Sequence, residues 1–201
     1  MKDKYKTVKS CSQGSYAEKG SKFISFVYPV SGEQEIKDII NEIRKKYYDA
    51  RHHVFAYILG YEQENYRAND DGEPSNSSGM PVLGQIRSFG LTNVLIIVVR
   101  YFGGTKLGIP GLINAYRSAA KDALGNAEII EKSITHTCII TFEYQDINFV
   151  MKNLKDFNAE IKKQDFQEIC KIIIEINVSL HEDLINSVKQ NKRIKIEDID
   201  V

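Results

Sequence analysis

The sequence predicts an α+β protein of two domains, residues 1–131 and 132–201, and three observations carry that expectation. The run Val94–Val99 is apolar at every position, as in a strand covered on both faces and so central to a sheet. Past Glu131 the pattern becomes strand, helix, strand, twice over, which is the βαββαβ order of a ferredoxin-like domain. That second pattern also echoes itself at an offset of about 34 residues, with Ile140, Phe142, Tyr144, Val150 and Leu154 answered by Ile174, Ile176, Val178, Leu184 and Val188.

The first domain opens with Lys4–Ser10 and Ser21–Val30 as strands of a hairpin or ribbon, joined by a turn-rich stretch holding Ser12, Gly14 and Gly20. Ser31 and Gln34 resemble a capping box, and Ile36, Ile39, Ile40, Ile43 and Tyr47 follow at the spacing of one helical face. His52–Gly60 reads as a strand and Asn65–Asn69 as its return partner. A polar loop, Asp70–Gly79, precedes a short helix with Pro81 in its first turn and Gly90 at its end. The central strand, within Leu91–Phe102, leads through the glycine-rich turn Gly103–Gly108 into a helix. On that helix Leu112, Tyr116, Ala119, Ala120 and Ala123 form one stripe, and Gly125 ends it. The second domain is Ile134–Tyr144, Asp146–Phe157, Ala159–Phe166, Ile169–Val178, Leu180–Gln190 and Arg193–Ile199.

Among the 201 residues, 27 Lys plus Arg balance 27 Asp plus Glu, so nucleic acid or an anionic surface would have to be met by a local patch rather than by net charge. No apolar run reaches the roughly 18 residues of a spanning helix and the first ten residues are charged, so the expectation is a cytoplasmic protein with no membrane partner. Cys11, Cys138 and Cys170 are odd in number and widely spaced, which predicts reduced, mostly buried thiols and no zinc motif.

Two stretches carry candidate chemistry. In the acidic loop Asp70, Asp71 and Glu73 lie within four residues and Ser75 follows, a set that caps backbone amides in a polar turn or supplies an acid–base pair. The calcium-loop spacing is absent, so no metal is expected there. In the glycine turn, Gly103, Gly104 and Gly108 let backbone amides approach an anion, a helix start adds unpaired donors, and Arg100 and Lys106 add charge. Ile109 and Pro110 stand where a Walker A loop needs Lys and Ser/Thr, and no dinucleotide fingerprint occurs. The alternative is that these glycines make a tight turn and the acidic loop docks on the helix start.

His52 and His53 alternate across a strand and so point to opposite faces, and His136 and His181 have no partner that the sequence reveals. No nucleophile or metalloprotease signature appears, so neither catalytic residues nor a cofactor are expected. Lys162, Lys163, Lys192, Arg193 and Lys195 fall on what would be the two edge strands of the second sheet, where lysine guards against edge-to-edge pairing.

Asp71-Gly72-Glu73-Pro74-Ser75, Val98-Val99-Arg100-Tyr101-Phe102-Gly103-Gly104, Lys106-Leu107-Gly108, His52-His53 and Ala115-Tyr116 together resemble the signature of the YigZ/IMPACT family. The resemblance is strong over about residues 15–130. It implies a first domain like elongation factor G domain four, a ribosomal-protein-like βαβ fold, and a second like that factor's last domain. It further implies a translation-associated protein that binds RNA, the ribosome or a translation factor; an enzyme or sensor holding a small phosphorylated anion between the acidic loop and the glycine turn is the alternative. The sequence departs from the family pattern where Asn76-Ser77-Ser78 replaces Gly-Thr-Ala, Pro110 replaces glycine, and Asn114 replaces a frequent basic residue that Arg117 would stand in for one turn later.

Overall fold

The computed structural model describes residues 3–199, which fall into two compact units: Tyr5–Lys132, and a second that runs from Ser133 and takes in Asp3 and Lys4. The elements in chain order are β1 (Lys4–Val8), β2 (Ser12–Glu18), β3 (Ser21–Pro29), α1 (Glu33–Lys46), β4 (His52–Leu59), β5 (Asn65–Asn69), α2 (Gly79–Ser88), β6 (Val94–Tyr101), α3 (Gly108–Gly125) and β7 (Ile129–Ser133). They continue with β8 (Thr135–Glu143), α4 (Ile147–Asp156), β9 (Glu160–Asp165), β10 (Ile169–Asn177), α5 (Val178–Val188) and β11 (Lys195–Asp198). Among the described residues no helix is long and apolar enough to cross a membrane.

The first unit is built on an antiparallel five-stranded sheet of order β2-β3-β6-β4-β5, with β6 in the middle. Because successive side chains of a strand face opposite ways, the unbroken apolar run of β6 feeds two cores. Leu95, Ile97 and Val99 meet Ile36, Ile40 and Ile43 of α1, whereas Ile96 and Val98 meet Val82, Leu83 and Ile86 of α2 and Ala115, Ala119 and Ala120 of α3. The alanine stripe brings α3 close enough for sheet hydroxyls to reach its carbonyls. Ser25 Oγ donates to the Ala119 carbonyl at 2.7 Å and Ser12 Oγ to that of Ala123 at 2.8 Å.

Ser12–Glu18 is a strand and not the expected turn-rich linker, since tertiary packing under α3 overrides its weak local propensity. The expected opening hairpin of the first two predicted strands does not form: β1 pairs with β7, a short strand that the sequence reading missed, and β2 takes the place beside β3. The start of α1 differs in detail. Ser31 donates to Glu35 through its backbone N–H at 2.7 Å and its hydroxyl at 2.9 Å, whereas Gln34 turns to Asp38. Cys138 and Cys170 are buried free thiols and Cys11 is an exposed one, in keeping with the expectation of mostly buried thiols.

In the second unit an antiparallel sheet of order β11-β8-β10-β9 carries α4 and α5 on one face, with Cys138, Ile140, Phe142, Cys170, Ile172, Ile174 and Ile176 against Val150, Leu154, Leu184 and Val188. The edges are β9 and β11, as the ferredoxin-like order requires. Two of the five cations singled out there are engaged locally. Lys162 bridges Glu160 and Glu175 at 3.0 Å each, and Arg193, just before β11, reaches the buried Asp146 at 2.8 Å.

Candidate functional site: the mouth of helix α3

The site grows from the end of β6. Arg100 is the last fully covered residue of that strand, its side chain 7% exposed, and a guanidinium so placed needs a counter-charge. Glu73, reaching in from the acidic loop with its side chain 4% exposed, supplies it: Arg100 donates through Nη1 to Glu73 Oε1 at 2.5 Å. Tyr116 of α3 donates its hydroxyl to the same oxygen at 2.8 Å, and His52 Nε2 stands 3.9 Å away. Burial first, and then the charge and hydrogen bond of Glu73, push the Tyr116 phenol far above its usual range, so it serves as a fixed donor. Phe23 and Phe102 flank the guanidinium at 5.5 and 5.6 Å from its carbon to the ring centroids. Arg100 Nε is buried and has no hydrogen-bond partner among the described residues.

The other carboxylates of the loop go elsewhere. Asp70 accepts from the backbone N–H groups of Ser78 and Gly79 at 3.0 and 2.8 Å, from Asn76 N–H at 2.8 Å, and from the Ser78 hydroxyl at 2.6 Å. It therefore satisfies the start of α2. Burial alone would raise its carboxyl, but the hydrogen bonds from Ser78, Gly79 and Asn76 bring it below the usual carboxylate range. Asp71, at a left-handed φ of 44°, accepts from Arg44 at 2.8 Å and from the His53 backbone N–H at 2.6 Å. Its carbonyl accepts from His52 Nδ1 at 2.8 Å, and the His53 ring faces the Tyr47 carbonyl at 3.0 Å. The histidine pair thus clamps the loop from two sides.

The start of α3 is open. Among the described residues no side chain caps it and its first turn holds no acidic residue, so the amides of Gly108 and Ile109 lack intrahelical partners, Pro110 having none to offer. In front of them lies a pocket of about 340 Å³ lined by Glu73, Pro74, Arg100, Phe102, Lys106 and Gly108, with Leu107, Ile109 and Leu112 as an apolar wall. Lys106, Phe102 and Ile109 are exposed at its rim.

Of the residues singled out from the sequence, Glu73, Arg100, Lys106 and Gly108 come together here. Asp70, Asp71, Ser75, Gly103 and Gly104 stand outside the lining: the first two hold α2 and the loop, and Ser75 is exposed. Gly103 crosses Gly20 so closely that a Cβ would lie 1.8 Å from the Gly20 carbonyl carbon, whereas Gly104 is open but holds φ at +88°. Tyr116 was placed among core residues by its stripe. A phenol among alanines was the available signal that a polar tip at the end of β6 needed a partner.

The site is thus a buried ion pair behind an uncapped, glycine-led helix start on the β2-β3-β6-β4-β5 sheet. Residues 19–124 match the Impact N-terminal domain, and the chain belongs to the IMPACT family. It is 32% identical over 168 residues to the IMPACT family member YvyE of Bacillus subtilis (strain 168), covering 84% of this chain and 77% of that one. It is 30% identical over 151 residues to YigZ of Escherichia coli (strain K12), covering 74% of each. A crystal structure described as that of a hypothetical protein superposes over 100% of this chain and 99% of its own at a TM-score of 0.75 and 22% identity, a likeness of fold.

Proposed function

We propose that this protein is a non-catalytic, translation-associated binding protein that takes a phosphate-bearing strand of RNA, as presented by the ribosome, at the mouth of α3. The observation that carries this reading is that none of the three loop carboxylates caps α3: Asp70 holds the start of α2, Asp71 holds Arg44, and Glu73, though it lines the pocket, is neutralised by Arg100, which leaves the α3 amides open beside Lys106. A helix start with free donors and a neighbouring cation suits a phosphate, and the exposed Phe102 offers a ring on which a base stacks. Translation as the setting is supported by the family motifs quoted above. The buried Glu73–Arg100–Tyr116 set supports positioning more than catalysis, because its charges already satisfy each other. The test is co-sedimentation with ribosomes and crosslinking to RNA at low salt, where phosphate contacts are strongest. Association should weaken in Lys106→Ala, with the salt slope reduced by about 1, and in Phe102→Ala. No association at low salt, or association indifferent to both substitutions, would reject the reading.

A second reading is favoured by the apolar wall of Leu107, Ile109 and Leu112, which encloses a volume suited to one small molecule. Here the occupant is a phosphorylated metabolite or nucleotide with its phosphate at the α3 amides. At 100 times its dissociation constant such a ligand stabilises the protein by about 2.7 kcal/mol, and that gain should vanish in Lys106→Ala.

A further inference from the structure

Three ligand-type atoms meet in the second unit from three different elements. Asp198 of β11 is the register partner of Cys138 of β8, so the two side chains leave the sheet on the same face. His181, in the first turn of α5, stands beside them. Cys138 donates its thiol proton to Asp198 Oδ1 at an Sγ–O distance of 3.2 Å, His181 Nε2 lies 2.6 Å from that same oxygen, and the three ligand atoms all lie within 4.8 Å of one another. The ring of His136, two positions before Cys138 on β8, stacks on His181 at 4.4 Å with 26° between planes, which holds the imidazole in orientation. Cys138 is fully buried, the His181 side chain is 12% exposed, and that of Asp198 is 56% exposed.

Thiolate sulfur, imidazole nitrogen and carboxylate oxygen form the mixed donor set that a borderline-soft divalent cation prefers. At ordinary zinc bond lengths a tetrahedral site separates sulfur from oxygen by roughly 3.5 Å and nitrogen from oxygen by roughly 3.3 Å. The atoms here need part by only a few tenths of an ångström in one case and about 0.7 Å in the other. A pocket of about 360 Å³ lined by Asp3, His136, His181, Glu182 and Asp183 borders the cluster on the His181 side, and its three carboxylates give a negative surround for a cation.

We propose that Cys138, His181 and Asp198 bind a zinc ion, with water in the fourth position, and that the ion fastens β11 to β8 and α5. The four residues of β11 form a short edge strand, and the ion would add a cross-link near its end. On binding, the Cys138 thiol gives its proton to solvent and His181 Nε2 offers its lone pair, that ring carrying its proton on Nδ1; nothing is oxidised. Because the thiol must lose its proton to bind, uptake competes with a proton and strengthens as pH rises.

The experiment uses the full chain stripped with a chelator, titrated with zinc against a chromophoric competitor and with cobalt(II) as a spectroscopic probe. One metal per chain, a raised Tm and a thiolate-to-cobalt charge-transfer band are expected. Asp198→Asn, which keeps an acceptor oxygen for the Cys138 thiol but removes the carboxylate charge, should weaken binding at least about tenfold, in keeping with the loss of one ligand. Cys138→Ser should abolish the band while Cys11→Ser and Cys170→Ser leave it. No uptake, uptake without a thiolate band, or a band that disappears with Cys11→Ser overturns the proposal.

Discussion

Gly14 of β2 lies so close beneath Ala123 of α3 that a Cβ added to the glycine would stand 2.3 Å from the Ala123 nitrogen. Neither backbone can yield without breaking the Ser12 and Ser25 hydroxyl bonds to α3. Gly14→Ala should therefore destabilise the protein by about 3 kcal/mol, at the upper end of ordinary overpacking costs, as read from the denaturant midpoint. A variant within about 0.5 kcal/mol of the parent would show that α3 is free to move off the sheet.

The two adjacent glycines after β6 should respond differently, because they are glycine for different reasons. At Gly103 a side chain meets the backbone of Gly20; at Gly104 the space is open and only the left-handed φ of 88° objects. Gly104→Ala should cost about 1–2 kcal/mol, the penalty of an L-residue in that region. Gly103→Ala should cost more and disturb the turn at Gly20. Equal losses in the two thermal unfolding curves would contradict this assignment.

Removing Glu73 leaves Arg100 buried without its counter-charge. Glu73→Ala should cost about 3–5 kcal/mol, the range for breaking a buried pair from one side. Tyr116→Phe, which removes one donor to a charged acceptor, should cost about 1.5–3 kcal/mol. A double-mutant cycle should give a clear interaction energy, since both act on one carboxylate oxygen; strict additivity would mean that the pair is independent.

Asp70 sets an acid limit on the loop. Its carboxyl lies lower in the folded chain than in the unfolded one, so its stabilising effect is fully present above the ordinary value of about 3.9 and is lost as pH falls through the lowered value. Asp70→Asn should therefore flatten the stability profile on acidification below about pH 4, while Asp70→Ala should cost about 1–2 kcal/mol near neutrality through loss of the α2 cap. Urea midpoints at neutral and acid pH distinguish the two effects.

The elements that were legible in the sequence are those whose periodicity agrees with their burial. The helical spacing of Ile36, Ile40 and Ile43, the double-sided Val94–Val99 and the alternation in β8 and β10 all survive in the structure. β2 was illegible because Ser12, Gly14 and Ser15 follow no apolar alternation; what fixes that strand is an approach by α3 from far along the chain. The candidate site was half legible. Charged and glycine residues announced Glu73, Arg100, Lys106 and Gly108, but apolar lining residues such as Leu112 look like core in any sequence. The Cys138–His181–Asp198 cluster was hidden for another reason. Cys138 and Asp198 stand 60 positions apart, and only the pairing of β11 with β8 makes them neighbours.

Because β6 is buried from Val94 through Arg100, half-buried at Tyr101 and followed at once by the exposed Phe102, one strand runs from a sheltered part of the first unit to the rim where a ligand would arrive. Its amides should exchange with deuterium more and more slowly with distance from that rim, opening at the sheltered end only when the unit unfolds as a whole. An occupant at the rim would then lengthen exchange times at Tyr101 and Phe102 first, turning the strand into a built-in scale of how far the occupant's influence reaches.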